Sequence, residues 1–138
     1  MIVADTNVMS QLVRPNGSER VRAWLREREA QIYLTTLTLA EFAYGIELMT
    51  DHRSQMHLTN AIAVIRHEYE PSILPFDTAA ADTHGWLQAR AKRETGRRLP
   101  EIDCQIAAIA ISRHAVVATR NVKDFEPTGV EIVNPWKD

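Results

Sequence analysis

The sequence predicts an α/β fold around a central, mostly parallel sheet, and three observations predict it. Segments 2–4, 31–35, 116–119 and 130–133 are short and apolar, as strands covered on both faces are. Longer stretches with helical spacing of apolar residues separate them, the alternation expected of parallel strands joined by helical crossovers. No repeat, low-complexity tract or long linker interrupts the 138 residues, so a single domain over 1–138 is expected.

Taken in order, residues 2–4 form a first strand and put Asp5, Thr6 and Asn7 at its carboxyl end. Residues 14–18 (RPNGS) are a turn cluster. A helix follows from Glu19, with Val21, Trp24 and Leu25 on one face and charged residues around the rest. Residues 31–35 supply a second strand. Thr36 or Thr38 is placed to cap a helix running through Met49, and Asp51 to cap another ending near Tyr69. The apolar positions of that second helix read as Met56, Ile62, Ala63 and Ile65. Two consecutive helices without a strand between them predict a helical hairpin.

Pro71 closes the hairpin, and 73–76 is a short extended piece. Asp77 or Thr78 caps a helix carrying Ala81, Trp86, Leu87 and Ala91, which stops at Thr95 and Gly96. After the 97–100 linker comes a very apolar helix over 101–114. A strand over 116–119, a helical turn near 121–126 and a last strand over 130–133 complete the chain.

Composition narrows the function classes. Sixteen Lys and Arg against eighteen Asp and Glu give a net charge of -2, which excludes a small domain coated in basic residues for nucleic acid. Contact with a polyanion then requires local charge or metal ions. The single cysteine, Cys104, excludes an internal disulfide framework and a multi-cysteine zinc site. The N-terminus lacks the pattern of a signal peptide, and no apolar run approaches the roughly 20 residues of a membrane span. A soluble, cytoplasmic protein with no membrane association is expected.

Four acids carry the functional argument: Asp5 at a strand end, Glu41 on a stripe with Leu37, Tyr44 and Leu48, Asp103 at the start of the most apolar helix, and Asp124 in a loop after a late strand. Each has a plain alternative. Asp5 and Asp103 suit helix N-termini, Asp124 a solvated loop, and Glu41 a solvated edge if Leu39, Phe42, Ala43 and Ile46 face inward. As a set they can converge where parallel α/β sheets bind ligands, beyond the carboxyl ends of the strands. Converging carboxylates repel one another, and a hard divalent cation such as Mg²⁺ or Mn²⁺ offsets that repulsion. Such a site suits phosphodiester hydrolysis. Thr6, Asn7, Thr119 and Asn121 are placed to orient the acids by hydrogen bonds.

Five segments resemble the PIN-domain family, and within it the VapC-type toxins including their FitB-like branch: IVADTNV over 2–8, TLAEFAYG over 38–45, IDCQIAA over 102–108, TRNVKDF over 119–125 and GVEIVNPW over 129–136. The resemblance implies a three-layer α/β/α fold with four to five strands, and a Mg²⁺- or Mn²⁺-dependent endoribonuclease. It maps the family's acids onto Asp5, Glu41 and Asp103, with Asp5 and Asp103 as metal ligands, and the fourth onto Asp124 beside Asn121. It further implies a homodimer, an RNA substrate, and a small VapB-like antitoxin that blocks the acidic site and supplies operator DNA binding.

Other features rank lower. The five histidines lack the paired spacing of a zinc site, and there is no glycine-rich phosphate loop or nucleophile elbow. Arg97 and Arg98, just ahead of Asp103, are the candidates for holding the RNA backbone. A haloacid-dehalogenase-like phosphatase would use Asp5 as nucleophile but wants an Asp where Asn7 stands. A catalytically degenerate binding partner of an antitoxin is the alternative from another class.

Overall fold

The computed structural model describes all 138 residues. Strands β1 (Ile2–Ala4), β2 (Ile32–Thr35), β3 (Ile73–Leu74), β4 (Val116–Ala118) and β5 (Ile132–Val133) form one sheet in the order β3-β2-β1-β4-β5. Every neighbouring pair is parallel. The short 73–76 piece thus contributes an edge strand, paired through Leu34 to Ile73 and Thr35 to Leu74.

Seven helices cover the sheet: α1 (Thr6–Val13), α2 (Glu19–Glu27), α3 (Thr36–Leu48), α4 (His52–Glu68), α5 (Thr78–Thr95), α6 (Glu101–Ser112) and α7 (Val122–Phe125). One core joins Val8, Met9, Trp24, Leu25, Phe42, Ile62 and Ile65 to one face of the sheet. A second joins Ala80, Ile106, Ala107, Ile109, Ala110 and Phe125 to the other face. The result is the expected three layers, with α3 and α4 as the consecutive helical pair.

Asp51 and Asp77 cap α4 and α5 as expected, but α3 begins one residue early. Its cap is Thr35, whose hydroxyl accepts from the Thr38 amide, because β2 runs straight into the helix with no intervening turn. Met56 and Ala63 lie on the outer side of α4, whose buried face is Ile62 and Ile65 with Leu58 and Ala61 beside them. On α5 the inward residues are Ala80, Leu87, Gln88 and Ala91, whereas Ala81 is exposed. Trp86 lies on the surface under the Arg90 guanidinium, 4.5 Å from its ring centroid. Gly96 ends α5 in the left-handed region at φ 78°, where a side chain would be strained.

The start of α6, which carries Asp103, has no side-chain cap. Buried Gln88 instead holds the preceding linker: its amide nitrogen donates to the Leu99 carbonyl at 3.1 Å, and its oxygen accepts from the Leu99 amide at 2.7 Å. Gln88→Ala removes both partners at once and is expected to cost about 1–3 kcal/mol. Urea unfolding measures this, and an unchanged midpoint would contradict the clamp.

β1 sits at the centre of the sheet, and the chain fills one side of it with β2 and β3 before crossing to β4 and β5. The β1/β4 boundary is therefore the topological switch point, where α/β sheets open a crevice for ligands. Asp5 follows β1 and Thr119 follows β4.

Candidate active site

At the switch point the Asp5 amide donates to the Ala118 carbonyl at 2.9 Å, so the two strand ends are stitched together before any side chain is considered. Asp5 is buried, and its carboxylate is the hub of the site. Oδ1 accepts from the Thr6 amide at 2.7 Å. Oδ2 accepts from Asn7 Nδ2 at 2.8 Å and from Thr119 Oγ1 at 2.8 Å. Asp5 is thus also the cap of α1, and the structural and functional readings of this residue coexist. With two donors Oδ2 is saturated, while Oδ1 keeps a free lone pair.

The partners are themselves held. Asn7 Oδ1 accepts from the Arg120 amide at 3.3 Å, and Thr119 Oγ1 accepts from the Asn121 amide at 3.0 Å. Asn121 therefore contributes its backbone to this network. Thr6 turns the other way and donates to Glu41 Oε1 at 2.7 Å. Its single hydroxyl proton is committed there, so the 2.9 Å contact with Thr38 Oγ1 is a bond donated by Thr38. Thr38 is a member of the network that sequence reasoning treated only as a helix cap.

Glu41 reaches this network from α3, but not by way of a buried stripe. Tyr44 and Leu48 are 69% and 62% exposed, and Leu37 is partly buried against the second core. Phe42 turns the helix inward, with Leu39 and Ile46 beside it, while Ala43 is exposed. Glu41 sits half-buried at the edge. The helix is apolar nearly all round, which is why its periodicity alone did not identify the buried face.

Asp103 and Asp124 complete the group. Burial pushes the Asp103 carboxyl up to about 7, and the charges of Asp5, Asp124 and Glu41 push in the same direction, as does its hydrogen bond to Asp124. Asp5 is also raised, chiefly by burial and further by Glu41, against the lowering effect of its bonds from Thr119, Thr6 and Asn7. No basic side chain contributes to either shift. The charges of Asp5, Glu41 and Asp124 all bear on Asp103, which gathers the four acids at the position expected of a ligand crevice.

This donor set suits a hard cation. It consists of carboxylate oxygens, it carries uncompensated negative charge, and no histidine or cysteine takes part. No three of the acids are grouped closely enough to hold a metal ion among them. An ion here would rest on one or two carboxylates and keep several waters, as Mg²⁺ can. Cys104, beside Asp103, is buried, and burial pushes its thiol up to about 11, so it is an inert packing residue.

Arg97 and Arg98 make no hydrogen bond or ion pair with the four acids. Arg98 donates to Glu101 Oε2 at 2.9 Å, and His84 Nε2 stands 3.0 Å from the other oxygen of the same carboxylate, too poorly aligned for a hydrogen bond. Arg97 is exposed on the linker. Neither is among the charges that act on Asp103.

A family model for the PIN domain matches residues 2–129. The chain belongs to the PIN-domain family. Within it, this PIN domain is 33% identical to the VapC ribonuclease Y4jK of Sinorhizobium fredii, over 99% of both chains. It is 34% identical to the toxin FitB of Neisseria gonorrhoeae over 100% of both. The crystal structure of FitAcB from Neisseria gonorrhoeae matches the PIN domain with a TM-score of 0.91 at 34% identity, covering 100% of both chains. A member of the VapBC family of toxin–antitoxin systems from Mycobacterium tuberculosis matches with a TM-score of 0.69 at 26% identity, covering 96% of both. No helix of the PIN domain is long and apolar enough to cross a membrane.

Proposed function

We propose that this PIN domain is a cytoplasmic endoribonuclease toxin that hydrolyses RNA with Mg²⁺ or Mn²⁺ and is neutralised by a small VapB-like antitoxin. The observation that carries the reading is the group of four acids at the switch point, where the charges of Asp5, Glu41 and Asp124 all bear on Asp103. Full-length relatives named as a ribonuclease and as a toxin support the substrate class and the biological setting. A structural relative from a toxin–antitoxin system supports the antitoxin, which would supply operator DNA binding.

Asp5 and Asp103 would hold the cation, with Glu41 and Asp124 completing the acidic wall. A cation held there would supply charge for the phosphate and activate a water for hydrolysis. Thr119 and Asn7 fix Asp5 in one orientation, and Thr6 does the same for Glu41. With the Asp103 carboxyl raised to about 7 in the metal-free protein, holding a cation there would release a proton. Exposed Tyr44 and Leu48 on α3, with Ile102 on α6, support a face covered by a second copy in a homodimer.

The test incubates the full chain with labelled RNA and Mn²⁺ or Mg²⁺, with and without EDTA. The expected result is internal cleavage that chelation abolishes and added metal restores. Cleavage that persists in EDTA overturns the metal mechanism.

A further inference from the structure

Beside the acidic group, at the carboxyl end of β4, a second feature is built from dispersed parts of the chain. Arg120, Asn121, Lys123, Asp124, Asn134 and Lys137 line a depression of about 440 Å³. Asp124 belongs to both places, and the Arg120 amide is bonded to Asn7, which holds Asp5. The depression therefore opens directly off the candidate active site.

Its three cations are exposed, and none is in an ion pair. Arg98, by contrast, is paired with Glu101. The Arg120 guanidinium lies over the Trp136 ring, 5.2 Å from its centroid, which limits its motion while leaving its N–H groups uncommitted to any carboxylate. The C-terminal turn bearing Lys137 is also pinned. Buried Asn134 accepts from the Trp136 amide at 3.0 Å through its side chain and from the Lys137 amide at 3.0 Å through its carbonyl. Arg20 Nη2 donates to the Lys137 carbonyl at 2.9 Å, which adds a fourth positive charge at the rim.

We propose that Arg120, Lys123 and Lys137 form a ledge that binds the phosphate backbone of the RNA strand entering the acidic site. An acidic pocket alone repels a polyanion. Unpaired cations at its mouth provide the attraction, and phosphates are the ligand whose charge and oxygen acceptors they fit. The identity of the polyanion rests on the nuclease reading above. The ledge assigns to residues 120, 123 and 137 the backbone contact that the sequence pattern had placed at Arg97 and Arg98.

The test measures binding of a fluorescent single-stranded RNA by anisotropy across a salt series, in EDTA so that no cleavage occurs. Each phosphate contact on a single strand contributes about 0.7 to the slope of log K against log salt. The triple variant Arg120→Gln, Lys123→Gln, Lys137→Gln is expected to lower that slope by about 2 and to weaken binding about tenfold or more at low salt. Lys123→Gln with Lys137→Gln alters only exposed side chains without hydrogen bonds, and is expected to lower the slope by about 1.4 with an unchanged melting temperature. The charge-matched control Arg66→Gln with Arg93→Gln is expected to leave the slope unchanged.

A triple variant with the parental slope overturns the ledge. So does a loss confined to binding of a poly-glutamate peptide, which would make the surface a peptide site. The outcomes separate this proposal from the nuclease reading. RNA held by the ledge without metal-dependent cleavage defeats the nuclease reading alone, and cleavage with an unaltered salt slope in the triple variant defeats the ledge alone.

Discussion

Asp103→Asn is expected to abolish metal-dependent RNA cleavage while making the metal-free protein more stable. The loss of activity is about a thousandfold or more, the size expected when a metal-holding carboxylate worth several kcal/mol is removed. The gain in stability follows from linkage. The Asp103 carboxyl titrates near 7 in the folded protein, whereas an unfolded Asp titrates near 3.9. Between those values the folded state binds more protons than the unfolded state, so stability falls as pH rises from about 4 to about 7 and stays low above it. Asn resembles the protonated acid and does not titrate, so this part of the slope vanishes. The side chain is half-exposed and screened by water, which leaves about 2 kcal/mol at pH 8 and almost nothing at pH 4. Thermal unfolding at both pH values checks the sign. A variant less stable than the parent at pH 8 would contradict the picture of mutually repelling acids.

Asp5→Asn is expected to abolish cleavage to a similar extent but to move stability the opposite way. Asp5 accepts three hydrogen bonds across both oxygens, from Thr6, Asn7 and Thr119. An Asn amide in this position must aim its NH₂ at a donor. Facing one way it meets the Thr6 amide, and facing the other it meets the Asn7 NH₂, which cannot turn because its oxygen is bonded to Arg120. One buried donor is left unpaired in either orientation, at a cost of about 1–3 kcal/mol. Asp5's own carboxyl is raised, chiefly by burial, and losing that charge offsets part of this cost. Denaturant unfolding at pH 7 measures the cost, and a variant as stable as Asp103→Asn would show that the three donors are not satisfied as described.

These opposite signs mark what the sequence made legible. The apolar segments at 2–4, 31–35 and 116–119 read as buried strands, which places Asp5 and Thr119 at strand carboxyl ends, and the structure trims them to 32–35 and 116–118. Asp51, Asp77 and Gly96 announced their helix ends through local chemistry that tertiary packing had no reason to override. Glu41 shows the limit. On a helix with apolar residues on every side, periodicity cannot distinguish the buried face from the exposed one, and Tyr44 and Leu48 proved to be outside. The basic residues show the same limit in another form. Arg97 and Arg98 are adjacent in sequence and conspicuous, yet Arg98 is neutralised locally by Glu101. Arg120, Lys123 and Lys137 come together only when the C-terminal turn folds back beside β4, at separations no motif scan would join.

The central claim, that these carboxylates form a cation site, is tested most directly by Mn²⁺ binding at pH 8, followed by electron paramagnetic resonance in the absence of RNA. The account predicts saturable binding to the parent chain, and a loss of affinity of about 10-fold or more in both Asp5→Asn and Asp103→Asn, including the one that is more stable. Equal Mn²⁺ affinity in the parent and in both variants would contradict it.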